Sequence, residues 1–241
     1  MRHNTSALLQ PHVLRGISSM ATKQVLADLV AAYAQRTGQA VSIESAGGVD
    51  VAKRVQAGEV FDLVFLAADA IERLIASGHL AQASRVDLVH SPIAVAIPST
   101  GVTPDISSEA ALKQAVLAAH TISYSTGPSG NYLAQLFERW AIAQIVKSKL
   151  VVPPPGTPVA SLVASGQVAL GFQQLSELLN VPDTKVLGQL PAPVAFITTF
   201  SAGLRVGLST QAVKAAHSLL EFLNSADAAP IKLRNGMTPI E

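Results

Sequence analysis

Two stretches of this chain are versions of one another. Residues 50–60 read DVAKRVQAGEV, residues 158–168 read PVASLVASGQV, and they align without a gap. Val51/Val159, Ala52/Ala160, Val55/Val163, Gly58/Gly166 and Val60/Val168 coincide. The valines recur at helical spacing, the glycine closes the helix, and a buried run follows, FDLVF in the first copy and ALGF in the second. Any two helix–strand units share some likeness. These aligned positions favour a shared lobe plan, two similar lobes rather than one sheet.

The rest of the sequence alternates strand and helix, the pattern of an α/β protein with mostly parallel sheets. VLRGIS, AVSIES, FDLVFLA, TISYST and VALGFQQ read as strands. MATKQVLADLVAAYAQRTG, GVDVAKRVQAG, DAIERLIASGHL, EAALKQAVLAA, SGNYLAQLFERWAIAQIV and QAVKAAHSLLEFLNS read as helices. Two extended stretches, Ser91–Pro98 and Ala195–Ser201, are long enough to cross between lobes. They divide the chain into one lobe of residues 13–91 plus 198–241 and another of residues 92–197. Residues 1–12 are left as a leader or tail. Two crossings make a hinge, and a cleft beside a hinge is where a ligand is held.

Composition excludes several functions. Net charge is +1 over 241 residues, so no electrostatic footprint calls for nucleic acid or an anionic membrane. The absence of cysteine removes disulfides, zinc–thiolate sites, iron–sulfur clusters and thiol nucleophiles. The six histidines are scattered without metal-ligand spacing, and no metal or cofactor is expected. No P-loop, G-x-G-x-x-G, H-E-x-x-H or G-x-S-x-G is present. No apolar run approaches a membrane span, so no direct insertion is expected. The opening MRHNTSALLQPHVLRG has no signal-peptide pattern. As written the chain reads as cytoplasmic; a signal removed or replaced would make it periplasmic.

What remains is a set of small, polar turns where strands hand over to helices. They are Ser18-Ser19-Met20, Ser45-Ala46-Gly47-Gly48, Gly127-Pro128-Ser129-Gly130 and Thr157-Pro158-Val159. In open parallel sheets ligands bind beyond the carboxyl ends of the strands. Helix N-termini there offer unpaired N–H groups and a partial positive charge, an anion site that needs no Lys or Arg. Each such residue alone is an ordinary N-cap; the hypothesis is the set.

The ordered series SSMA, AKRVQAGEVFDLVFLAAD, GPSGNYLAQLFERW, VASLVASGQVALGFQQ and FLNSADAAPIKLRNGM resembles the periplasmic molybdate-binding proteins of bacterial ABC transporters. The resemblance spans residues 13–241 and implies the type II periplasmic-binding-protein fold. That means two α/β lobes, a two-segment hinge and a cleft that grips an anion by neutral hydrogen bonds. It places Ser19 on the first-lobe serine that binds the oxyanion, beside Ser18, and gives Met20 an N–H to offer. The second turn, serine-rich in the family, here reads Ser45-Ala46-Gly47-Gly48. Ser129 and Gly130 fall on a backbone-amide turn of the second lobe, and Val159 on another amide donor. Gln173 and Gln174 stand where the family often has a tyrosine. The backbone donors are kept while side chains change, so an organic carboxylate fits as well as molybdate.

The GFQQ and FSAG segments also look similar to those of aconitate isomerases, which move a double bond in a tricarboxylate. Two readings therefore lead, ahead of a cytoplasmic ligand-sensing role that the same fold also serves and that the lack of a preceding helix-turn-helix disfavours. One is a monomeric solute-binding protein that delivers a small anion to an ABC permease. The other is an isomerase on the same scaffold, which needs a base beside the carboxylate and donors for the developing charge. Glu44, Tyr124, His90 and Glu177 are candidates for that base, and spacing singles out none.

Overall fold

The computed structural model describes residues 13–153 and 157–240; the leader assigned to residues 1–12 lies outside the described residues. In chain order the elements are β1 (Leu14–Ser19), a 3-10 turn (Met20–Thr22), α1 (Lys23–Thr37), β2 (Val41–Ala46), α2 (Gly48–Gln56), β3 (Leu63–Ala67) and α3 (Ala68–Ala76). There follow β4 (Val86–Pro98), α4 (Glu109–Ala118), β5 (Ile122–Tyr124), α5 (Pro128–Arg139), α6 (Ala143–Lys147), α7 (Val159–Ala164) and β6 (Leu170–Gln174). The chain closes with α8 (Leu175–Leu178), β7 (Thr184–Gln189), β8 (Ile197–Leu204), α9 (Thr210–Leu223), α10 (Ala229–Arg234) and β9 (Thr238–Pro239).

Strand order is β2-β1-β3-β8-β4-β6-β5, with β7 and β9 also paired to β4. The key element is β4, 13 residues long. From Val86 to Pro92 it pairs with β8; from Ile93 onward it pairs with β6 on one side, and from Ala94 with β7 on the other. The change of partner falls at Pro92, which has no N–H to give a ladder. Beside it, the Ile93 N–H donates to Phe196 O at 3.1 Å, and Ile93 O accepts from the Leu190 N–H at 3.2 Å. The returning segment is thus stitched to the same residue. Tyr132 of α5 holds that segment as well: its hydroxyl donates to Val194 O at 2.9 Å and its ring stacks on Phe196.

Each sheet is covered on both faces. One face of the first carries α1 and α9 through Leu26, Leu29, Leu219 and Leu223, and the other carries α2 and α3 through Val51, Val55, Ile71 and Leu74. The second sheet is covered by α5 through Leu133, Leu136 and Phe137, and opposite by α7 through Val159 and Val163. The internal repeat is visible here. α2 and α7 both end on a left-handed glycine, Gly58 (φ 85°) and Gly166 (φ 73°). Both glycines donate to the carbonyl three residues back, at 3.0 and 2.9 Å. The equivalence ends two residues later, where Val60 is 54% exposed and Val168 fully buried.

Three features depart from the expected pattern. The sheets are mixed rather than mostly parallel: β2-β1-β3 and β6-β5 are parallel, but β8 and β4 run against their neighbours. The reason is connectivity, since the strands that carry the chain between lobes must run out along one and back along the other. The helix read over residues 129–146 breaks into α5 and α6. Ala141 turns left-handed (φ 56°) after Trp140, whose indole N–H donates to Glu109 at 2.7 Å and whose carbonyl accepts from the Lys113 ammonium at 2.9 Å. Strands β7 and β9 and helix α10 had no reading of their own.

α10 is fixed by Lys232. Its buried ammonium donates to Leu88 O at 2.7 Å and to Asn224 Oδ1 at 3.1 Å, and burial pushes its pKa down to about 8. Packing of α7 on β6 requires Gly171, where a Cβ would lie 2.4 Å from Val163 and 2.9 Å from Val159. Valine is stiff at χ1, so the helix itself has to yield. Gly171→Ala is expected to lower unfolding stability by about 1–3 kcal/mol, read as a lower urea midpoint with an unchanged slope.

Candidate functional site

The first lobe supplies the ends of β1 and β2. Register sets Ser18 opposite Ser45 and Ser19 opposite Ala46. Strand alternation turns the two serines to opposite faces. Ser18 is fully buried; its Oγ lies 2.8 Å from Ser45 Oγ and donates to Ser19 O at 3.3 Å, so it stitches β1 to β2. Ser19 stands at the N-cap of the 3-10 turn in extended conformation and makes no side-chain cap bond. Gly47 holds the same position before α2. A Cβ on Gly48 would lie 3.7 Å from the Ser19 Cβ, so the two turns meet.

The second lobe repeats the arrangement. Gly127 and Pro158 are the extended N-caps of α5 and α7, and neither caps its helix with a side chain. Ser125 Oγ and Ser129 Oγ lie 2.8 Å apart. Two hydroxyls share one hydrogen in such a pair and keep another to donate. A Cβ on Gly130 would fall 1.6 Å from Ser125 O, so only glycine allows this turn. Elsewhere serines do cap in the ordinary way: Ser108 Oγ accepts from the Ala111 N–H and Ser209 Oγ from the Ala212 N–H. Gly47, Gly127 and Pro158 have no side-chain acceptor to offer, and the N-caps of α3 and α8, Ala67 and Gln174, likewise make no cap bond.

Gln173 and Gln174 end β6 and diverge. Gln173 Oε1 accepts from the Ala160 N–H at 3.1 Å, and its Nε2 donates to Glu177 Oε1 at 2.7 Å. The Val159 N–H, first of α7, has no intrahelical acceptor. Gln174 Nε2 donates to Thr198 Oγ1 of β8 at 2.8 Å, while its Oε1 is buried without a partner among the described residues.

Between the lobes lies a cavity of about 650 Å³. Met20, Lys23, Gln24 and Asp28 line it from the first lobe, with Arg234 and Asn235 after them; Pro158, Ser176, Glu177 and Asn180 face it from the second. One edge is closed by Ser176, whose hydroxyl donates to Ala21 O at 2.8 Å. There Gly236 (φ 72°) lies so close to Leu175 and Leu179 that a Cβ would be 2.6 Å from the latter.

The two carboxylates lining the cavity differ. The Asn235 hydrogen bond, with Gln24 and Arg234, holds Asp28 below the usual carboxylate range against partial burial. Burial pushes Glu177 up to about 7, and the Gln173 hydrogen bond only partly opposes it. Lys23 is exposed and has no ion-pair partner among the described residues.

Of the residues singled out from sequence, Met20 lines this cavity and Val159 follows the lining Pro158. Ser19, Gly47, Gly48, Ser129 and Gly130 sit in the turns at the strand ends. Ser18, Ser45 and Gln174 spend their hydrogen bonds inside the protein. Glu44 is an exposed edge residue paired with Arg54 at 3.0 Å. Tyr124 packs against Phe137, and burial pushes its phenol up. His90 bonds Thr199 within the sheet. Glu177 is therefore the one of the four base candidates that lines the cavity. Lys23, Ser125, Ser176, Arg234 and Asn235 went unread. Lys23 had a signal, following the SSMAT turn directly; nothing local brings Arg234 near it. Among the described residues no His, Asp and Glu group could hold a metal, and no helix is long and apolar enough to cross a membrane.

The model of a bacterial extracellular solute-binding protein family matches residues 14–238. An aconitate isomerase from Pseudomonas sp is 35% identical over 232 residues, covering 93% of this chain and 87% of that protein. Among solved structures, the periplasmic molybdate-binding protein of Azotobacter vinelandii aligns with a TM-score of 0.78 at 19% identity, over 95% of this chain and all of that one. A sulfate-binding protein from Mycobacterium tuberculosis aligns at 0.74 and 15%, over 95% of this chain and 88% of that one. At such identity these structures speak to the two-lobed type II fold and not to a ligand.

Ser176→Ala removes the hydroxyl bond that joins the lobes. A hydrogen bond of this kind contributes about 1 kcal/mol. The variant is expected to favour the open form roughly fivefold, seen as a larger radius of gyration in small-angle scattering.

Proposed function

The chain belongs to the bacterial extracellular solute-binding protein family, and from that premise we propose that its interlobe cleft captures a small carboxylate-bearing anion. The observation that carries this reading is the set of helix N-termini left uncapped by their own side chains, at Ser19, Gly47, Gly127 and Pro158. Their N–H groups and partial positive charge favour an anion. Ser19, Met20, Gly48, Ser129 and Val159 are assigned as donors there, with Lys23 and Arg234 as cations at the rim. We assign residues 13–91 plus 198–241 to one lobe and 92–197 to the other; the change of β4 partners at Ile93 supports that division.

Carboxylate is favoured over a tetrahedral oxyanion for two reasons. The hydroxyls at Ser18 and Ser45 are used internally. The cavity also adds Glu177, which burial pushes toward its protonated form and which suits a ligand with several carboxylates. In transport such a protein would hand its ligand to an ABC permease, from the periplasmic side when exported.

A second reading has its own support. An aconitate isomerase is 35% identical over 232 residues, and that reaction needs a base that can take and return a proton. Glu177 has both the place and the proton affinity for it.

A thermal-shift series separates these readings. Trans-aconitate and citrate are expected to raise the melting temperature with concentration, by about 2.7 kcal/mol of stabilisation at a hundredfold excess over Kd. Molybdate and sulfate are expected to leave it unchanged. Lys23→Ala is expected to weaken tricarboxylate binding about tenfold or more. Interconversion of cis- and trans-aconitate, followed by ultraviolet absorbance, would establish the enzyme; its absence with tight binding would leave the transport reading.

A further inference from the structure

Glu177 is held in a way that fixes where its proton sits. The Ala160 N–H points at one end of the Gln173 amide, so that end must be the oxygen. The Gln173 Nε2 is then turned toward Glu177 Oε1, and it can only donate. Oε1 is therefore an acceptor in either protonation state. A carbonyl oxygen accepts better than an acid hydroxyl, so the proton of a protonated Glu177 is favoured on Oε2, which has no partner among the described residues. Gln173 is a positioning residue: it is anchored to α7 and orients the acid toward the cavity.

No fixed charge satisfies Glu177. The charged groups lining the same cavity are Lys23 and Asp28 on α1 and Arg234 on α10, and none forms an ion pair with it. Asp28 is occupied by Asn235, Gln24 and Arg234. The half of β4 packed on α8, Ile93–Pro98, carries no titratable side chain, nor does α7 or the 3-10 turn. On β7, Lys185 is bonded to Thr103 at 2.7 Å.

We propose that Glu177 is the proton-sharing residue of the cleft, donating its Oε2 proton to a carboxylate of the bound anion so that ligand and one proton are captured together. This rests on the reading of the cleft as a carboxylate site. Two carboxylates at hydrogen-bond distance cannot both remain ionised, and the pair holds a single proton between them. Burial brings Glu177 to about 7, and an arriving anion raises it further. The sign follows from linkage. Well below pH 7 the acid is protonated before the ligand arrives, so affinity is flat and no proton is taken up. Above pH 7 binding draws one proton from solvent, and apparent affinity falls by about tenfold per pH unit.

The test is calorimetric titration of the full chain with trans-aconitate at about pH 6 and about pH 8.5 in buffers of contrasting ionisation heat, with the ligand's own ionisation at the lower pH subtracted. Wild type is expected to take up close to one proton at the higher pH and to bind more than tenfold more weakly there. Glu177→Gln, a neutral isostere that is always a donor, is expected to show neither proton uptake nor pH dependence. Gln173→Met removes the bond that favours the charged form, so the fall in affinity is expected to begin at higher pH. A flat wild-type profile without proton uptake, or an unchanged profile in folded Glu177→Gln, would overturn the proposal. Absence of any binding heat at the lower pH would instead overturn the carboxylate reading, and the proposal with it.

Discussion

Everything in this molecule depends on one strand serving two sheets. β4 gives its first half to β8 and its second half to β6 and β7, and the exchange takes place within two residues, Pro92 and Ile93. A proline there has no N–H to give to either ladder. Because Ile93 also binds the returning chain at Leu190 and Phe196, both crossings meet at one point. A pair of crossings at one point lets two rigid bodies rotate with little disturbance to either core. On the reading proposed above, the strand ends that carry the polar turns face a shared space.

That space acquires its chemistry mostly from the backbone. With a net charge of +1, the protein has little long-range field to attract an anion. Its helix N-termini act only within a turn or so, where N–H groups are unsatisfied. The glycines at Gly47, Gly127 and Gly130 keep side chains out of the way, and at Gly130 the Ser125 carbonyl leaves no room for one. In the proposed site the cations and the acid contributed by α1, α8 and α10 would add specificity. Glu177 and Asp28 show how environment divides two like groups: one is burdened by burial, the other is relieved by hydrogen bonds.

Much of the fold was legible from local pattern. Strands of continuous apolar residues and amphipathic helices closed by glycine are short-range features, and the repeat over 50–60 and 158–168 carried the lobe plan in plain view. What escaped was set by partners far away in sequence. The α5–α6 break follows from Glu109 and Lys113 gripping Trp140. The antiparallel run of β8 follows from the crossings. α10 takes its place because a buried lysine reaches Leu88 and Asn224.

The candidate site divides in the same way. Ser19, Met20, Gly48, Ser129 and Val159 were legible because a small residue between strand and helix has a local meaning. That Ser18 turns inward to Ser45 was not, since alternation assigns faces only once the register with β2 exists. Nor could the sequence choose among Glu44, Tyr124, His90 and Glu177, because a base is defined by what surrounds it. By itself the sequence determined the elements, their punctuation and the doubled lobe plan, all of which depend on neighbours a few residues apart. Only the tertiary structure decided which acid lines the cavity and which of its oxygens Gln173 engages. Burial and hydrogen-bond geometry arise when distant segments such as Lys23, Ala160, Gln173 and Arg234 are brought together.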